Sequence, residues 1–207
     1  MKNEERILSE KEKKRLERFE KICEEMKQQE YSQKNLTIDI NKATILSVGL
    51  MLILFSVGSV IFYAVNRKFD FFNFQVLPFF VSFVILIFIH EMIHGACWVI
   101  FAPGSFKDIE FGIMKPSFSP YCTCLVPVKK WQYLVGVMMP GLVLGVIPFI
   151  VSILMANQVV MFMSCAMIAV AAGDMMIFRN IARYKSSAKD IVYIDHPTDA
   201  GGVIFER

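Results

Sequence analysis

Histidine and tryptophan are scarce in this 207-residue chain, at three and two residues, and only 20% of the chain is charged. The charges fall in blocks and leave long apolar runs between them. That excludes a disordered chain, which buries too little apolar surface to fold, and gives no basic face for a nucleic acid. The five cysteines are an odd number scattered over apolar and polar segments alike, so this is no disulfide scaffold, and no structural disulfide is expected. Internal repeats and low-complexity linkers are missing too. What is abundant is apolar: 55% hydrophobic residues with 19 Phe and 13 Met, above the usual soluble range of about 45–50%. The composition predicts an all-α membrane protein.

Four runs, 43–64, 76–101, 133–155 and 158–178, match the roughly 20 residues of helix that cross a hydrocarbon core, so four transmembrane helices are expected. The first follows a 42-residue polar stretch with no small-residue cleavage site after it, so it reads as a retained anchor. The expected domains are a charged cytosolic helix and linker (1–42), a four-helix transmembrane domain (43–178) and a cytoplasmic tail (179–207). Orientation follows from lysine and arginine, which are held on the cytoplasmic side. Residues 1–42 carry 11, the 65–75 loop 2, the 102–132 loop 4 and the tail 5, a division of 20 to 2 that puts both termini of a multi-pass cell-membrane protein in the cytoplasm.

The first 34 residues read as a helix with Leu16, Phe19, Cys23 and Met26 along one seam, a solvated or self-associating element. In the 104–130 loop, 107–113 and 119–128 are apolar, β-branched stretches separated by Pro116 and Pro120, and predict short strands at the cytoplasmic face. The tail repeats that pattern at 191–194 and 203–205. Cys122 and Cys124 form C-x-C without a second pair at zinc-finger spacing, so they read as residues of one strand face, and Cys165 as packing.

Of 41 charged residues only Glu91 and Asp174 fall inside the expected spans, with His90 and His94 beside the first. A carboxylate in a bilayer costs about 2.5–3.5 kcal/mol or more, which marks each as functional. Residues 90–94 read His-Glu-Met-Ile-His. Imidazoles at i and i+4 share one helical face and can grip a single Zn2+, while Glu91, about 100° round the helix, can act on an attacking water as general base. Catalytic zinc takes three protein ligands and keeps a position open. Asp174 fits by depth, since it and the middle of the histidine pair each lie 16 residues, roughly 24 Å, from the outer ends of their runs. It also fits by charge: Zn2+, two neutral imidazoles and two carboxylates sum to zero. His196, in Asp195-His196-Pro197, is the rival ligand. Cys97 shares the face of His90 but reads as packing, because a fourth ligand would close the open position. Gly141 and Gly145 form G-x-x-x-G, flanked by Pro140 and Pro148, and predict a helix that packs tightly or kinks to admit water or substrate.

The stretch 89–95 with its H-E-x-x-H late in a span, a strand-like loop, a Pro-Gly-rich helix and Gly173-Asp174 resembles a site-2-protease-type intramembrane zinc metalloprotease. More narrowly it resembles a small bacterial membrane family of zincin peptidases of unknown function, over about 76–205. The resemblance implies His90, His94 and Asp174 as metal ligands, Glu91 as catalytic base, and cleavage of membrane-spanning or membrane-proximal peptides. It departs from the site-2 proteases in that glycine precedes Asp174 instead of following it. Two readings from other classes stand beside it. One is a non-proteolytic scaffold or regulator with a structural or vestigial metal site, which has no need of Glu91. The other is an ion transporter, for which two carboxylates and no repeat offer little.

Overall fold

A computed structural model describes residues 8–70, 75–114 and 119–207. In chain order the elements are α1 (Glu10–Gln28), β1 (Ser32–Thr37), α2 (Ile40–Asn66), α3 (Val76–Val99), β2 (Ile109–Met114), β3 (Ser119–Cys124), β4 (Val128–Lys129), α4 (Lys130–Pro140), α5 (Ile147–Leu154), α6 (Gln158–Val170), α7 (Ala172–Arg183), β5 (Ile191–Asp195) and β6 (Gly201–Glu206). The fold is mostly helical, with a few antiparallel strands.

Among the described residues three helices are long and apolar enough to cross a membrane: α2, α3 and the continuous 130–154 stretch formed by α4, a π-helical segment at Gly141–Val146 and α5. Pro148 has no N–H to give to the turn before it, and the widened turn ahead of it absorbs that loss. Gly145 packs against α6 so closely that a Cβ there would lie 2.6 Å from Ile168 Cγ1, which is the tight packing its motif predicts. The fourth expected span, 158–178, is formed by two helices, α6 and α7, bent by 46° at Ala171, and taken together as one bent span they bring the candidates to four. The break falls at Ala171, just ahead of Gly173, a residue that weakens a helix by about 1 kcal/mol relative to alanine, and it puts Asp174 in the first turn of α7. A carboxylate is favoured there by the helix dipole.

The N-terminal segment is corrected. Among the described residues, its helix starts after a Ser9 capping box with Glu12 and ends at Gln28; residues 1–7 lie outside the description. Ser32–Thr37 then form a strand that nothing in the sequence announced. β1 pairs with the last strand, β6, in an antiparallel four-stranded sheet of order β1-β6-β5-β4, with Ser32 opposite Glu206 and Thr37 opposite Gly201. The seam of α1 lies on this sheet, where Phe19, Ile22, Cys23 and Met26 cover Ile194, Val203 and Phe205. The expected loop strands form a separate hairpin, β2–β3, with Phe111 opposite Cys122. Pro116 lies outside the described residues. The run expected over 119–128 breaks after Cys124, before Pro127, which cannot donate to a ladder, and resumes only as the two residues of β4.

The sheets and the helical ends meet in a core containing Trp98, Ile109, Cys124, Tyr133, Ile181 and Tyr193. Farther along the helices, Phe62, Met161 and Cys165 join α2 to α6, so Cys165 is a packing residue. The site lies between these cores.

Candidate metal centre

His90 and His94 are one turn apart on α3, 2% and 5% exposed. Their Nε2 atoms are 3.2 Å apart. Asp174, arriving from the bend before α7, sets Oδ2 3.0 Å from His90 Nε2 and Oδ1 3.6 Å from His94 Nε2. Donors at 2.0–2.1 Å from a tetrahedral ion are about 3.3 Å apart. The three groups therefore already stand at the spacing of ligands on one face of a zinc tetrahedron, so the donor set fits zinc.

The orientation of His94 is fixed from behind. Its Nδ1–H donates to the Gly136 carbonyl at 2.8 Å; a carbonyl only accepts, so Nε2 keeps a free lone pair, the usual arrangement of a metal-bound imidazole. Gly136 must be glycine for this approach, because a Cβ there would fall 2.0 Å from Trp98 Nε1. Trp98 in turn lies flat on His94, with ring centroids 5.4 Å apart and planes 14° apart, and Tyr133 leans on Trp98. Among the described residues, His90 Nδ1 is buried without a hydrogen-bond partner.

Glu91 belongs to a different row of α3. It offers an oxygen within 4.8 Å of the nearest ligand atoms of His90 and His94, and the backbone N–H of Cys122 on β3 hydrogen-bonds its carboxyl. It is held beside the ligand pair and not in line with it.

These groups open into a cavity of about 260 Å³. One wall is β3, from Ser119 to Thr123; a second is the tail from Asp195 to Gly201; Arg15 of α1 also lines it. Arg15 is itself buried, donating to the Pro197 carbonyl at 2.5 Å, to Glu110 at 2.7 Å and to the Tyr121 hydroxyl at 2.7 Å. His196 lines the same cavity but does not join the centre. Its Nδ1 accepts the backbone N–H groups of Thr198 and Asp199, at 3.3 and 3.0 Å, and its ring lies by Phe19. Burial pushes its pKa down, and among the described residues no contact joins it to His90, His94 or Asp174. The two strand cysteines are held as thiols, with burial raising Cys122 and pushing Cys124 up to about 12.

Sequence reasoning missed four contributors: Gly136, Tyr133, Asp195 and the N–H of Cys122. The first three reach the site only through the fold, and a backbone N–H leaves no residue-type signal. Asp195 accepts the Tyr133 hydroxyl and the Cys124 N–H, and burial lifts its pKa to about 6.

No curated protein and no solved structure matches the chain. A family model described as "putative zincin peptidase" matches residues 83–189, which is just over half of the sequence and runs from the middle of α3 past the end of α7. The ligand pair, the carboxylate beside it and Asp174 all fall inside that stretch, and the chain belongs to this family.

Proposed function

We propose that this protein is a zinc-dependent intramembrane peptidase of site-2-protease type, cutting membrane-spanning or membrane-proximal peptides near the cytoplasmic face. The observation that carries the reading is the convergence of His90, His94 and Asp174 at ligand spacing, with Glu91 beside them and outside their row. When bound, zinc supplies a Lewis acid that polarises the scissile carbonyl and acidifies the attacking water. Glu91 takes the proton from that water and returns it to the leaving amine. The Cys122 N–H holds the Glu91 carboxyl on the cavity side of α3.

A helical substrate hides its own carbonyls, so the segment to be cut must unwind. The edge of β3 turned away from β2 lines the cavity, and its carbonyls can hold an extended peptide by strand addition. The bilayer setting is supported by α2 and α3, which turn large apolar side chains such as Leu52, Val60, Leu77 and Val84 outward. The 20 to 2 division of basic residues supports a cavity that opens to the cytoplasm.

The test is Glu91→Gln in purified, reconstituted protein, with metal content and cleavage of a panel of single-span substrates measured together. The expected result is full zinc occupancy with cleavage reduced by about 10²- to 10⁴-fold. Loss of zinc would make Glu91 a ligand. Cleavage at the wild-type rate would remove the peptidase reading and leave a scaffold with a structural metal.

A further inference from the structure

One half-buried carboxylate beside the cavity has no part in the chemistry above. Asp195 ends β5, and no lysine or arginine pairs with it among the described residues. Its oxygens instead accept the Tyr133 hydroxyl and, at 2.7 Å, the Cys124 N–H. A carboxylate half withdrawn from water without a cation is an uncommon way to tie two elements together, so what it ties is informative.

Each partner leads to a different working group of the centre. Along β3, N–H groups two residues apart point to the same edge, and Cys122, two before Cys124, gives its N–H to Glu91. By this arm Asp195 sets the strand that holds the base. Along α4, Tyr133 stands one turn before Gly136, whose carbonyl receives the Nδ1–H of His94. The Tyr133 ring also leans on Trp98, which lies flat on His94. By this arm Asp195 sets the helix that orients a ligand.

We propose that Asp195 is a positioning residue that fixes the base Glu91 and the ligand His94 relative to each other, through β3 and through α4. The proposal rests on the peptidase reading for Glu91, but its metal arm does not. Asp195 and β6 lie beyond the stretch matched by the family model, so the C-terminal segment completes the centre.

The experiment compares wild type with Asp195→Ala, Asp195→Asn and Tyr133→Phe. It measures zinc affinity by chelator competition on folded protein, the melting temperature with and without zinc, and the split between kcat and KM. Outer contacts of this kind are typically worth about 10- to 100-fold in metal affinity or activity. Tyr133→Phe cuts only the α4 arm and should weaken zinc about 10-fold. Asp195→Ala cuts both, and should weaken zinc at least as much while lowering kcat with KM little changed. Should Asp195→Ala not fold, Asp195→Asn decides, since it keeps the shape but puts an amide donor where an N–H or O–H must be accepted. A melting temperature lowered equally with and without zinc, at wild-type zinc affinity, would make Asp195 a structural tie only and overturn the proposal. If the variants lose zinc as expected but the wild type cuts nothing, the metal arm stands and the peptidase reading falls; a wild type that binds no zinc sinks both.

Discussion

In the most apolar 18-residue stretches of α2 and α3 only 11% of residues are buried inside the protein, whereas all six residues of β6 are buried. α2 and α3 turn most of their large side chains outward, and β6 turns its own in. A helix apolar all round has no water-facing side and needs an apolar surrounding. The sheet half makes a core of its own, as a domain in water does. The candidate centre lies where the two meet, with its three candidate ligands on α3 and α7 and the groups around them on α4 and the strands.

The sharpest way to break this division is at the ligands. Asp174→Ala should reduce zinc affinity by more than about 100-fold, beyond what outer contacts are worth, while His196→Ala, whose Nδ1 is taken by backbone N–H groups, should leave it within a few-fold. Metal analysis of the two purified variants decides. If His196→Ala strips the zinc and Asp174→Ala retains it, a ligand comes from the tail and the two halves share the chemistry.

A smaller effect separates the two kinds of burial. Ile204 is fully buried in β6 and Leu52 is 65% exposed on α2. Ile204→Ala should cost about 2–5 kcal/mol, and Leu52→Ala within about 0.5 kcal/mol. Denaturant or thermal unfolding in a bilayer mimetic measures both, and equal costs would mean that the outward face of α2 is packed against protein.

The smallest effect is a pH dependence confined to the sheet. Lys34, Ser186 and Tyr184 hold the Glu206 carboxyl down at about 2. A carboxylate depressed on folding stabilises the folded state above its unfolded value, near 4.5, and that contribution fades as pH falls from there towards 2. The pairing of β1 with β6 should loosen over that window. Amide exchange in β1 against pH reads it, and Glu206→Gln should flatten the profile; a profile unchanged by Glu206→Gln would show that the pair adds nothing to the sheet.

What the sequence made legible was what is local. The apolar runs and the i, i+4 histidine pair follow from single segments, and the depth count already put Asp174 level with His90 and His94. The strand β1 was not legible, because Ser-Gln-Lys-Asn-Leu-Thr has no alternation to mark a buried face and becomes a strand through β6. The bend at Ala171 was missed because two alanines and a glycine carry no breaker. Tyr133 and Asp195 were missed because they are 62 residues apart and each, alone, is an ordinary polar residue near a segment end.

The pairing of β1 with β6 also has a consequence in time. Gly201, the partner of Thr37, lies 164 residues further along the chain (201 − 37), so at about 5–20 residues per second β1 waits on the order of ten to thirty seconds for β6. All the long apolar helices are synthesised in that interval, before the edge that receives β1 exists. Until then the histidine pair and Asp174 stand with neither Asp195 nor the closing sheet in place, so the centre is completed only by the strands that follow α7.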